Sequence, residues 1–183
     1  MATATPSGSV TSAAPTTTAP SRSAGPTATT TARPAPSTAP ATTGPCPTRS
    51  LQAKLGRDDG AAGSIYTAIN FTNISKTTCV LHGYPGVALA GGTPVTQIGL
   101  AAAKDTAVPA TDVTLAPGST GHAILRIAQA GNYSPSECHP VTAQYLQIYP
   151  PKQTTPIYLP HSAEACSAPI QILYIRAIEP GTG

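Results

Sequence analysis

From Leu51 onward, apolar and polar side chains alternate in short runs, each broken after a few residues by Gly, Pro, Asn or Asp. The clearest run is Ser64 to Thr72, which puts Ile65, Thr67, Ile69 and Phe71 on one face and Tyr66, Ala68 and Asn70 on the other. A period of two marks a strand with one buried face. Other runs predict further strands over 51–55, 78–82, 87–90, 113–116, 120–128, 145–149, 157–159 and 170–178. No helical period is sustained anywhere. Gly56-Arg57-Asp58-Asp59-Gly60 reads as the turn that ends the first strand, and Asn73-Ile74-Ser75-Lys76 and Ala116-Pro117-Gly118-Ser119 read as later turns. Pro85 cannot donate to a ladder, so Gly83, Tyr84, Pro85 and Gly86 are expected to form a structural turn at a bulge or a strand crossover. Residues 99–111 and 130–140 are left as long loops. Seven to nine short strands joined by turns predict an all-β fold, an antiparallel immunoglobulin-like β-sandwich. The chain has no Trp, so the Trp-on-disulfide core of antibody domains is not available to it.

The alternation begins only after a different kind of sequence has ended. Residues 1–45 are dominated by Thr, Ala, Pro and Ser, with runs at Thr16-Thr17-Thr18 and Thr29-Thr30-Thr31 and with no acid and no aromatic. With so little apolar area to bury, ordering this segment would cost more conformational entropy than it recovers. It is expected to be a disordered tether, extended by its prolines and similar in composition to O-glycosylated stalks. The boundary falls at Gly44-Pro45-Cys46-Pro47, leaving residues 46–183 as one folding unit with enough chain for a single core.

Cysteine usage sets the compartment. Cys46, Cys79, Cys138 and Cys166 are even in number and widely spaced, with no C-x-x-C pair to aim two thiolates at one metal. Disulfides are therefore expected. Four cysteines allow three connectivities, and the favoured one joins Cys46 to Cys79 and Cys138 to Cys166, each closing a loop of about thirty residues. Disulfides imply an oxidising compartment, hence an exported protein of the cell envelope or exterior. The N-terminus has neither a basic start nor an apolar core, so an export signal or lipid-modified anchor is expected to have been removed from it.

Charge narrows the partners. Only 9% of residues are charged, without basic or acidic runs. The formal net charge of +3 owes two of its units to Arg22 and Arg33, leaving about +1 from Cys46 onward. Such a weak field gives little steering toward phosphate, which argues against a nucleic-acid partner, and membrane association is expected only through a lost signal or anchor.

Three segments then carry a resemblance. They are Gly60-Ala61-Ala62-Gly63-Ser64-Ile65-Tyr66, Phe71-Thr72-Asn73-Ile74-Ser75, and Thr78-Cys79-Val80-Leu81-His82-Gly83-Tyr84-Pro85-Gly86. Together with Cys46, Cys138, Cys166 and a closing apolar strand near Glu179-Pro180-Gly181, they resemble the domain of unknown function 4232 family. The resemblance implies an actinobacterial secreted protein or lipoprotein. It assigns no catalytic residue.

The remaining candidates are side chains that could carry chemistry. His82, His122, His139 and His161 show no close metal-ligand spacing. Ordinary surface or hydrogen-bonded histidines are expected, with a two-histidine site at His82 and His122, on strands that could pair, as the alternative. Asp58-Asp59 is read as a solvated turn, with calcium or hydrolytic roles as its alternative. Gly-x-Ser-x-Gly and H-E-x-x-H are absent. Tyr133, with Asn132 beside it in the second long loop, is the expected ligand contact, whereas Tyr84 is expected to pack under its turn. Asn70, Asn73 and Asn132 match the N-glycosylation pattern, and its use is not expected. The sequence thus reads as a non-enzymatic, monomeric binding or display module with no cofactor. Its ligand would be a wall polymer, a protein or a small molecule. A metal-handling protein and a hydrolase without a recognisable motif are the alternatives.

Overall fold

A computed structural model describes residues 44–183, so all of the expected tether except Gly44 and Pro45 lies outside the described residues. In chain order the strands are β1 (Leu51–Ala61), β2 (Ser64–Asn73), β3 (Cys79–His82), β4 (Gly86–Gly91), β5 (Thr96–Ile98) and β6 (Ala103–Lys104). They continue as β7 (Asp112–Leu115), β8 (Thr120–Ala128), β9 (Pro140–Tyr149), β10 (Ile157–Cys166), β11 (Leu173–Ile175) and β12 (Glu179–Pro180). A single α-helical turn, α1 (Pro135–Cys138), precedes β9, and 3-10 turns stand at Thr48–Ser50 and Ala130–Asn132.

The strands form three sheets. One runs β1-β2-β8-β11-β6 with β12 also on β8, the second runs β10-β9-β4-β5, and β3 pairs with β7 alone. All ladders are antiparallel except β11 with β6. With β1, β2, β4, β5, β8, β9 and β10 taken as A, B, C, C′, E, F and G, the two larger sheets have the A-B-E and G-F-C-C′ order of an immunoglobulin-like sandwich. Short pieces raise the strand number above the predicted nine, because β5, β6 and β12 span two or three residues and are too brief to show a period, while β11 keeps only three residues of the strand predicted over 170–178.

The core lies between the sheets. Ile69 and Phe71 of β2 and Leu125 of β8 meet Val87 and Leu89 of β4 and Leu146 and Ile148 of β9 in one cluster. Phe71, Leu125, Leu146 and Ile148 are fully buried, and each such side chain contributes about 1.5–3 kcal/mol on leaving water. Alternation in β2, β8 and β9 is what aims these residues inward.

The first predicted turn is corrected. The chain does not turn at 56–60: β1 runs through to Ala61, with a register shift between Leu55 and Asp58. Asp58 and Asp59 pair with Thr67 and Tyr66, and the tight turn is Ala62-Gly63, both at positive φ. An extra residue in a bulge breaks the period of two locally, so Gly56-Arg57 imitates a turn in sequence. Further on, Gly83 at φ +95° and Pro85 carry the chain from β3 to β4, that is, from one sheet to another. Gly83 also accepts the Ile178 N–H at 2.9 Å, which ties this crossover to the last residues.

Candidate functional site

The edge strands β1 and β10 belong to different sheets but flank the same side of the sandwich, and both are bulged. The register of β10 shifts between Pro160 and Ala163, as that of β1 does between Leu55 and Asp58. Bulges break a ladder and redirect side chains, and with Pro160 they also keep the two edges from templating further strands. Between them lies a cleft of about 400 Å³. Ile65, Ile127 and Ala163 supply apolar lining, and Asp58, His161 and Glu164 supply polar groups. That volume falls in the range of roughly 300–1,000 Å³ typical of small-ligand sites. Among the described residues, no Lys or Arg lines it.

The cysteines hold the termini of this framework. All four are oxidised, Cys46 to Cys79 and Cys138 to Cys166. The first bond clamps the start of the domain on β3, where Cys46 N–H donates to Val80 O and Val80 N–H to Gly44 O, each at 3.0 Å. The second fixes the end of α1 to the end of β10.

The family model described as Domain of unknown function (DUF4232) matches residues 46–174. The chain belongs to that family. No curated protein and no solved structure matches the chain. The DUF4232 match spans both disulfides and every residue that lines the cleft.

The histidines of this DUF4232 domain are dispersed. The strands bearing His82 and His122 do not pair: β3 pairs with β7, and β8 with β2, β11 and β12. His82 Nδ1 lies 2.6 Å from Asp112 Oδ1, directly across the β3–β7 ladder, and both side chains are exposed. His122 Nδ1 lies 3.1 Å from Gly181 O. His139 ends α1 at φ +48° and its carbonyl accepts from the Ser167 hydroxyl at 2.8 Å. Among the described residues, no three His, Cys, Asp or Glu side chains are gathered as a metal would need. His161 is the histidine that reaches the cleft. The strand predicted over 157–159 stops short of His161, whereas β10 runs on to Cys166, so alternation alone did not place this histidine on a strand.

In the loop expected to make a ligand contact, Asn132 is exposed and Tyr133 is not. Tyr133 is half-buried against the core, and Asn132 spends its amide on Gly63 O at 2.7 Å, propping the β1–β2 turn. Ser134 and Glu137 close a capping box on α1, with Ser134 Oγ 2.6 Å from Glu137 Oε2. That hydroxyl first, and the Ser134 backbone N–H second, hold the Glu137 carboxyl below its usual range. Tyr84 packs on the core, with Lys104 Nζ 5.5 Å from its ring centroid.

The most informative polar residue in the DUF4232 segment Phe71-Thr72-Asn73 is a buried one. Asn73 is 0% exposed. Its Nδ2 donates to Thr77 O at 2.8 Å and Leu115 O at 2.9 Å, and its Oδ1 accepts from Ser75 N–H at 3.0 Å and Ser75 Oγ at 2.7 Å. It therefore joins the end of β2, the following turn and the end of β7, and the folded domain offers no amide there to a glycan.

Proposed function

We propose that this chain is an exported, non-enzymatic binding module, and that its ligand seats in the cleft between β1 and β10. The carrying observation is the cleft itself: an apolar lining beside two carboxylates, Asp58 and Glu164, with His161 but no Lys or Arg among the described lining residues. A ligand with an apolar body and an amine suits that combination, since a buried amine gains from opposed charge. Two disulfides favour an oxidising compartment, which supports export. Binding is preferred to turnover because Ser162 and His161, neighbours in the bulge, share no hydrogen bond that would activate the hydroxyl among the described residues.

The test is a thermal-shift series with small apolar amines and the matched carboxylic acids. Ligand present at about one hundred times its Kd stabilises the folded state by about 2.7 kcal/mol. Amines are expected to raise the melting temperature, and Asp58→Asn with Glu164→Gln to abolish the rise. Equal effects of amines and acids, or amine binding that survives the double variant, would remove the cleft from consideration.

A further inference from the structure

The outer face of the β10-β9-β4-β5 sheet carries a separate surface. On β9 the alternation that buries Leu146 and Ile148 turns Tyr145, Gln147 and Tyr149 outward. Register places Tyr158 of β10 opposite Gln147, and Gly86, Ala88 and Ala90 of β4 opposite Tyr149, Gln147 and Tyr145. An aromatic ridge therefore stands beside small residues of β4, of which Ala88 and Ala90 are themselves buried and Gly86 is exposed. A Cβ at Gly86 would lie 3.4 Å from the Tyr149 Cβ.

Two features of the ridge define what it can hold. The rings of Tyr145 and Tyr158 meet nearly at right angles, at 85° with centroids 6.4 Å apart, and with Val95 they enclose an apolar slot of about 180 Å³. Tyr158 and Val95 are 43% and 40% exposed, so the slot opens to solvent. The polar groups are committed in one direction. Gln147 Nε2 donates to the hydroxyls of Tyr149 at 3.1 Å and Tyr158 at 2.8 Å. Each phenol oxygen is thus already an acceptor, which leaves its hydrogen free to donate outward.

The face is also free of charge. Among Asp, Glu, Lys and Arg, strands β4, β5, β9 and β10 contain Glu164 alone, and Glu164 belongs to the cleft. A charged partner would give up its hydration here with nothing to replace it.

We infer that this face docks a neutral proline-rich segment in the polyproline II conformation. A pyrrolidine ring fits an apolar slot between perpendicular aromatic rings, and such a segment presents unpaired carbonyls, which need the outward phenol donors. It arrives already extended, so little conformational entropy is lost on docking. A saccharide suits the site less, because it stacks on a ring laid flat and its hydroxyls bring as many donors as acceptors. The inference does not depend on the cleft.

The test is calorimetry and NMR titration of the full chain with three neutral, end-blocked probes: an Ala/Thr/Pro peptide with proline at every third position, the same peptide with each proline replaced by glycine, and a linear glucan hexamer. The proline peptide is expected to bind saturably, to shift Tyr145, Gln147 and Tyr158 resonances, and to do so equally at low and high salt, since no ion pair is screened. Tyr158→Ala and, independently, Val95→Ser are expected to weaken it about tenfold, with melting temperatures showing that both variants fold. Asp58→Asn should leave it unchanged. The inference is overturned if the proline peptide does not saturate, if the glycine peptide binds as well, or if the glucan binds the tyrosines instead.

Discussion

Replacing Asn73 with Ala is expected to cost the domain about 3–4 kcal/mol. Asn73 uses its full capacity of two donated and two accepted hydrogen bonds, at 2.7–3.0 Å. Each satisfied bond of this kind contributes about 1 kcal/mol net, and a buried carbonyl left without its donor costs about 1–3 kcal/mol. The bond to Leu115 O is buried, so water cannot replace it, whereas Ser75 and Thr77 lie nearer the surface and recover part of their loss. Asn73→Asp tests the direction of the bonds rather than their presence. It sets a carboxylate oxygen against two carbonyl oxygens, and is expected to be worse than Ala despite its matching shape. Ser75→Ala should lose only about 1 kcal/mol. Urea unfolding followed by far-ultraviolet circular dichroism measures all three, read from the midpoint at constant slope. A loss below about 1 kcal/mol for Asn73→Ala, or an Asp variant more stable than the Ala variant, would refute the role assigned to this residue.

Three further outcomes are expected. Replacing either cysteine pair by alanines should lower stability by about 3.5–4 kcal/mol in the chain-entropy treatment. The separations of 33 and 28 residues are so similar that the two losses should nearly match, and calorimetric melting of both variants checks this. Thr67 Oγ1 is buried with no partner among the described residues, so Thr67→Val should stabilise the domain by about 1 kcal/mol, and a clear loss in the same urea assay would show that the hydroxyl is satisfied. Glu137 has a lowered carboxyl pKa, so its contribution is present above the ordinary glutamate range and fades as pH falls through the lowered value. Ser134→Ala removes the largest cause, and NMR titration should find Glu137 protonating at a higher pH than in the parent protein.

Much of the architecture can be read along the chain because strand alternation is local. Ser64 to Thr72 declares its two faces without reference to any partner, and β2 buries Ile69 and Phe71 as the pattern requires. Pro85 likewise announces an interruption, because a missing N–H is a property of one residue. The cysteine spacing excluded close metal-ligand pairs on equally local grounds. What depended on register was not legible. The bulges at 55–58 and 160–163 exist only relative to a partner strand, so Asp58 looked like part of a turn and His161 like one histidine among four, although the sandwich sets both on one cleft. Tyr133, in a polar loop, is drawn against the core, while Tyr158, whose ring meets that of Tyr145, is exposed, since side-chain exposure is settled by what packs above a residue. Asn73 shows the same division. Its sequence places it at a strand end beside a turn, and only the arrival of β7, some forty residues later, turns a surface-type side chain into a buried one with every hydrogen bond made.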